Sequence, residues 1–270
     1  MQVGIYTLHA STAEALQKMT GGKVLRQSRA TSAVEDIRSQ MRPPAVVVGV
    51  MSLDQAIEPA KAGYAVVLAS IDAEKFEQTT GQKYDPKAGY PWELVSKALV
   101  YRAVNVKDVK YLNAAQLGEF VKNGFSLFDD DMRRAVEIVA GVQGAKEGRG
   151  IQINPLQFEG EAVFISLPPA TQRLTAEQIA EMIADGRARI YIVQGGVKTY
   201  DSLAEAVGAA LTGQERAEAV IKDGRVVQVI VECGAECAAK IAQRLPTEKV
   251  VVRESKAEIH LAAQGPRLSL

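Results

Sequence analysis

The chain has 270 residues, more than one typical domain and fewer than three. Apolar residues make up 47% of it and charged residues 24%, a balance that supports a buried core and excludes disorder along most of its length. Basic and acidic residues are equal at 32 each, so no global field draws the chain to nucleic acid or anionic lipid, and neither is an expected partner.

The opening residues MQVGIYTLHAST carry no basic leader and no apolar signal core, so export is not expected. No run approaches the roughly 20 apolar residues needed to span a bilayer. Cys233 and Cys237 are too few to staple a secreted fold and suit a reducing compartment, which makes the cytoplasm the expected location.

Along the first seventy residues, short β-branched runs alternate with helical patterns, the rhythm of βαβ units. GIYTL precedes a helix over Ser11 to Met19, and KVLRQ precedes one over Ser32 to Met41. AVVVGV precedes a third over Ser52 to Ala62, and YAVVLAS follows. AVVVGV and YAVVLAS are apolar at every second and every first position alike, as strands covered by helices on both faces must be, which predicts a parallel sheet. Ser11 with Glu14, Ser32 with Glu35 and Ser52 with Gln55 fit the capping-box spacing, in which side chains satisfy orphan amides at helix starts.

Beyond Asp72 the stretch TTGQKYDPKAGYPWEL reads as an excursion until Pro91 opens a helix at Trp92. Residues 114–144 read as mostly helical, and GAKEGRG at 144–150 marks a boundary. The pattern then resumes with EAVFISL, a helix over Thr175 to Asp185, RIYIV and a helix over Ser202 to Leu211, with Thr175–Gln178 and Ser202–Glu205 repeating the capping signature. A further helix over Gln214 to Ile221, the strand VVQVIVE, a helix over Cys237 to Leu245, KVVV and an antiparallel edge from AEIHLAA complete it, before a loose tail GPRLSL. The expected fold is α/β, two small Rossmann-like or flavodoxin-like units with mostly parallel sheets joined by a mainly helical segment. Its parts are an N-terminal domain over 1–113, a connector over 114–150 and a C-terminal domain over 151–270.

Open parallel sheets bind ligands beyond the carboxyl ends of their strands. There the sequence places Thr7, His9, Ser11 and Thr12 after the first strand, and Ser28 and Arg29 after the second. Met51 and Ser52 follow the third, and Ser70 and Asp72 the fourth. His9, Ser11, Thr12, Ser28, Arg29 and Ser52 are the candidate ligand-binding residues, for a small anion or nucleotide. Several of these hydroxyls also fit plain capping roles, and His9 has no carboxylate partner in sequence.

Three further groups invite chemistry. Cys233 and Cys237 in VECGAECAAK stand at a strand-to-helix junction, suited to a redox pair or half a metal site, or else to inert packing. Asp129, Asp130 and Asp131 precede Arg133 and Arg134, which suits a helix N-terminus; metal coordination would need further oxygen ligands. Tyr84, Tyr90 and Trp92 form either a binding surface or a set of pins for a long loop.

Two family resemblances follow from these residues. The segment AVVVGVMSLDQAIEPAKAGYAVVLAS resembles a response-regulator receiver, a likeness of architecture over the first seventy residues. Gly49 and Val50 stand where that family carries its phospho-acceptor aspartate, which implies a receiver-like domain without phosphorylation chemistry. IYIVQGGVKTYDSLAEAVGAAL resembles the phosphate-binding loop of ParA-like ATPases, with Lys198 and Thr199 after Gly195 and Gly196. No glycine directly precedes Lys198, and the bland alternative is a strand, a turn at the two glycines and a capped helix.

No Ser-His-Asp order, zinc ribbon or dinucleotide fingerprint is present, and no cofactor is assigned. The function expected from sequence is a non-catalytic intracellular module that binds a small ligand or a protein partner, as an assembly or regulatory component that is a candidate homo-oligomer. The alternatives are an enzyme acting on a small anionic substrate at the strand crest, and a degenerate ParA-like positioning protein.

Overall fold

The computed structural model describes residues 1–8, 10–28, 30–49, 51, 53–85, 87–114, 116–117, 130–139, 141, 157–167, 174–245, 248–253 and 256–261. It is a mixed α/β fold. In chain order the elements begin β1 (Gln2–Tyr6), α1 (Ala10–Thr20), β2 (Lys23–Val24), α2 (Ala33–Gln40), β3 (Ala45–Gly49), α3 (Leu53–Lys61) and β4 (Ala65–Ile71). There follow α4 (Ala73–Thr80), α5 (Trp92–Val95), a 3-10 turn (Ser96–Ala98), β5 (Leu99–Leu112), α6 (Asp130–Val139), β6 (Gln157–Ser166), α7 (Ala176–Ala184) and β7 (Arg189–Tyr200). The chain continues with α8 (Leu203–Thr212), β8 (Ala217–Lys222), β9 (Arg225–Glu232), α9 (Ala235–Arg244), β10 (Lys249–Arg253) and β11 (Lys256–His260).

Two compact units result, one of residues 1–105 with 198–270 and one of 106–197. The segment 151–270, expected as one domain, is thus divided between them, and most of the expected connector lies outside the described residues. In the first unit the strand order is β10-β11-β9-β1-β3-β4-β5, with β2 also on β1 and β8 also on β9. Among the described pairings of this unit, those of β2-β1-β3-β4 are parallel. The expectation of mostly parallel sheets is therefore corrected: β4–β5, β1–β9, β8–β9, β9–β11 and β10–β11 are all antiparallel.

Turn chemistry explains part of that correction. Asp223 (φ 51°) and Gly224 (φ 70°) both adopt the left-handed conformation, as a two-residue hairpin turn requires, and such a turn returns the chain antiparallel. Residues 214–221, expected as a helix, supply β8. Ala217 and Ala219 are buried while Glu218 and Val220 face solvent, so burial with a period of two overrides the helix preference of Ala and Glu. The expected edge AEIHLAA becomes β11, which lies between β9 and β10, leaving β10 outermost.

Two elements have no counterpart in the sequence reading. Helix α4 is capped by Asp72, whose carboxylate accepts the Lys75 N–H at 2.7 Å. Strand β5 runs antiparallel to β4 from Leu99↔Ile71 to Val104↔Val66. Helix α1 begins at Ala10, so Ser11 is inside it rather than its cap, whereas Ser32 and Glu35 form the expected capping box. Thr175 and Gln178 form another in the second unit, with both reciprocal bonds present at 2.9 and 3.3 Å.

One face of the first unit's sheet carries the main core. Val3, Ile5, Val46, Val48 and Val67 pack there with Leu16 of α1, Val207 of α8 and Ile241 of α9, and the same cluster continues through Val229 and Ile259. On the opposite face Gly4 leaves room for Met41, directly after α2, and for Leu25. The second unit has its own cluster, in which α6 (Ala135, Val136) and α7 (Ile179, Ile183) pack with Ile165 of β6 and Ile190 of β7. No helix among the described residues is long and apolar enough to cross a membrane.

The turn between α1 and β2 touches the β8–β9 turn backbone to backbone. A β-carbon on Gly21 would lie 2.8 Å from the Gly224 nitrogen, and one on Gly224 would overlap the Gly21 carbonyl. Gly81, which ends α4 at φ 71°, has nothing within 4 Å of that position. Replacing Gly224 with Ala is therefore expected to lower unfolding free energy by about 2–4 kcal/mol, through φ strain plus overlap. Gly81→Ala should lower it by only about 1 kcal/mol, through φ strain alone. Urea denaturation of the two variants checks the contrast, and equal losses would refute the close-approach argument.

Candidate functional site

Strands β1 and β3 are parallel neighbours, and the chain leaves β1 for α1 on the main-core face but β3 for α3, which packs beside α2, the helix that Met41 follows on the other face. Between such strand ends lies the topological switch point where open α/β sheets hold ligands. Tyr6 ends β1, Gly49 ends β3, and the two are register partners. A β-carbon on Gly49 would overlap the Tyr6 carbonyl and lie 2.8 Å from Met51 Cε, so glycine lets the strand ends close up beneath Met51.

Register extends this row. Tyr6↔Gly49, Gly49↔Leu68 and Leu68↔Arg102 place four residues side by side across β1, β3, β4 and β5 on one face of the sheet. Arg102 is half-buried, with its Nε buried and without a hydrogen-bond partner among the described residues. Burial pushes its pKa below the ordinary arginine value.

The other end of the row is anchored by a buried carboxylate. Asp36, in the first turn of α2, accepts from Tyr6 Oη at 3.1 Å and from the Ser28 N–H at 3.0 Å through Oδ2, and from Thr31 Oγ1 through Oδ1. Burial acts to raise the Asp36 pKa, but the bonds from Thr31, Ser28 and Tyr6 outweigh it and hold the carboxyl below its usual value. Tyr6 is pushed up to about 12, first by burial and then by its bond to Asp36. Gln40 secures the same loop, accepting the Arg26 N–H and donating to the Arg26 carbonyl, both at 2.8 Å.

The candidate ligand residues divide accordingly. Ser28 is tied through Asp36 to the end of β1, and its hydroxyl accepts the Ala30 N–H at 3.2 Å. Thr12 is half-buried in the first turn of α1, where Ser11 also lies. His9, Arg29 and Ser52 lie outside the described residues. Sequence reasoning missed Asp36 and Arg102. An acidic residue in the first turn of a helix reads as a dipole complement, and Arg102 needed β5 to be recognised as a strand.

The phosphate-loop reading is corrected. Gly195 and Gly196 make no turn, because β7 runs through them to Tyr200, and Lys198 and Thr199 lie within that strand. Lys198 is ion-paired to Glu215, and α8 starts only at Leu203, with Ser202 as its cap. The lysine and the helix amides thus do not converge as a phosphate loop requires.

Tyr84 and Tyr90 pack on the fully buried Phe76 with ring centroids 5.3 and 4.7 Å away, and Trp92 packs against the main core. These aromatics pin the 81–91 loop. Asp130 opens α6, as the acidic cluster suggested, Asp129 lies outside the described residues, and Arg134 pairs with Glu177 at 3.2 Å. Among the described residues no three His, Cys, Asp or Glu side chains converge on a metal position.

Cys233 and Cys237 are free, half-buried thiols that pack against the main core. Burial, reinforced by Cys237, pushes the Cys233 thiol up to about 12, so it remains protonated at neutral pH. Iodoacetamide at pH 8 should therefore alkylate Cys233 in the native chain at least about 100-fold more slowly than in the urea-unfolded chain. Mass-spectrometric peptide mapping checks this, and comparable rates would refute it.

Asp36→Ala strands three donors and is expected to lower unfolding free energy by about 2–4 kcal/mol. Because the native Asp36 pKa is depressed, its stabilisation is complete above the unfolded carboxyl value and disappears as pH falls through the native one. The stability difference between wild type and Asp36→Asn should accordingly shrink upon acidification below about pH 4, as followed by urea titrations at several pH values. No family model matches the chain, and neither the curated proteins nor the solved structures contain a match.

Proposed function

We propose that the chain is a non-catalytic cytoplasmic module whose first unit holds a small ligand at the β1/β3 strand crest, in a flavodoxin-like arrangement of β2-β1-β3-β4-β5. That strand order turns the β1/β3 boundary into the switch point at which such sheets bind their ligands. The observation carrying the reading is that the described phenol and carboxylates at the crest, the groups that would move a proton, are already committed to structure. Tyr6 donates to Asp36, Asp36 accepts from three donors, and Asp72 caps α4. Tyr6 and Asp36 are moved away from neutrality in opposite directions, whereas a general acid–base pair needs values near the working pH. Such a crest supplies shape and fixed hydrogen-bonding groups for binding.

Native mass spectrometry of gently purified protein tests this and reads subunit number, hence the proposed homo-oligomer, in the same spectrum. A retained small-molecule mass is expected, and Ser28→Tyr, which adds bulk to the exposed loop over the crest, should reduce its occupancy roughly tenfold, equivalent to about 1.4 kcal/mol of binding. Wild-type protein that carries no such mass argues against the crest. A metabolite turned over by the wild type but not by His9→Ala or Cys233→Ala overturns the non-catalytic part.

A further inference from the structure

The arginine at the end of the crest row has an environment that calls for an anion. Arg102 lies in β5 between Val100 and Val104, which share its sheet face and are 8% and 3% exposed, and opposite Leu68, which is 1% exposed. A guanidinium carries five donors in a rigid fork and no acceptor, and it keeps its charge at any physiological pH. Covering part of it with aliphatic side chains is costly unless the covered donors are given an acceptor. Here the residue is half-buried, its Nε is buried with no partner among the described residues, and no described carboxylate pairs with the side chain. An apolar residue at this position would leave no buried donor unmet, so its aliphatic neighbours do not by themselves call for an arginine.

Its place in the sheet connects it with the crest. Arg102 is in register with the last residues of β1 and β3 through Tyr6↔Gly49↔Leu68↔Arg102, two strand spacings or roughly 10 Å from Gly49. A long side chain on that face covers much of this distance. We propose that Arg102 is the anchoring cation for the oxyanion, a carboxylate or phosphate group, of the small molecule held at the strand crest. The inference rests on the crest reading above for its location. An oxyanion would accept from Nε and an adjacent Nη together, a two-bond geometry that lysine cannot reproduce.

The test is thermal unfolding of the full chain titrated with sodium phosphate or sodium acetate, each against sodium chloride at matched ionic strength. Arg102→Met removes the unpaired charge while retaining bulk, so its anion-free Tm should rise by roughly 2–4 °C, and its anion-dependent shift should vanish. Arg102→Lys keeps the charge and should retain a weaker shift. A shift with phosphate alone identifies a phosphorylated ligand, and one with acetate a carboxylate. Equal shifts in wild type and Arg102→Met, or no shift in wild type with either anion, overturn the proposal. Native mass spectrometry separates the two readings. A mass retained equally by wild type and Arg102→Met leaves the crest standing without its anion anchor. Wild type lacking any retained mass counts against the crest, while the anion titration still decides Arg102.

Discussion

The first unit depends on the way β1, only five residues long, is shared among three strands. One edge of β1 is occupied throughout by β3, from Gln2↔Ala45 to Tyr6↔Gly49. The other is divided: Gly4 and Ile5 pair with β2, while Gln2 pairs with Arg225 of β9. Two strands can share one short edge only if the turns that deliver them approach closely. Gly21 and Gly224 meet that condition, since both have positive φ and lie backbone to backbone with no space for a side chain. The Met1 carbonyl accepts the Val226 N–H at 2.9 Å and the Gly224 carbonyl accepts the Val3 N–H at 3.3 Å, so the junction is stitched on both sides of the register pair.

From this junction comes a hydrophobic core that does not stop where parallel pairing gives way to antiparallel. Val3 and Ile5 belong to the same cluster as Val229, Val231 and Ile259, and α1, α8 and α9 contribute to it. Helix α8 approaches β8 closely enough that a β-carbon on Gly208 would lie 2.7 Å from the Ala217 backbone carbon. The last seventy residues therefore complete the core of the first hundred, and the two segments form one unit although the second unit's residues separate them in sequence.

The opposite sheet face has a different economy. Asp36 takes up donors from β1 and from the 28–31 loop, so the crest is preformed rather than left to be organised by a ligand. At the other end of the same row the Arg102 Nε has no hydrogen-bond partner among the described residues.

Local chemistry was legible where it is decided by near neighbours in the chain. The capping boxes at Ser32 and Thr175, the cap at Ser202 and the helix after Pro91 arise from interactions within a few residues, and the burial of β3 and β4 on both faces is signalled by their unbroken apolar runs, so the sequence alone determined these features. Tertiary structure decided what depends on partners far along the chain. Residues 217–222 became a strand because β9 and the core were available to them, and Gly195–Gly196 stayed extended within β7 instead of turning. Asp36 became a hub only when Tyr6 and the 28–31 loop met it, and Arg102 gained significance only when β5 paired with β4 and brought it into line with Gly49. Capping and strand burial are written in spacings of a few residues, whereas a crest row is written in register across four strands, which no local pattern records.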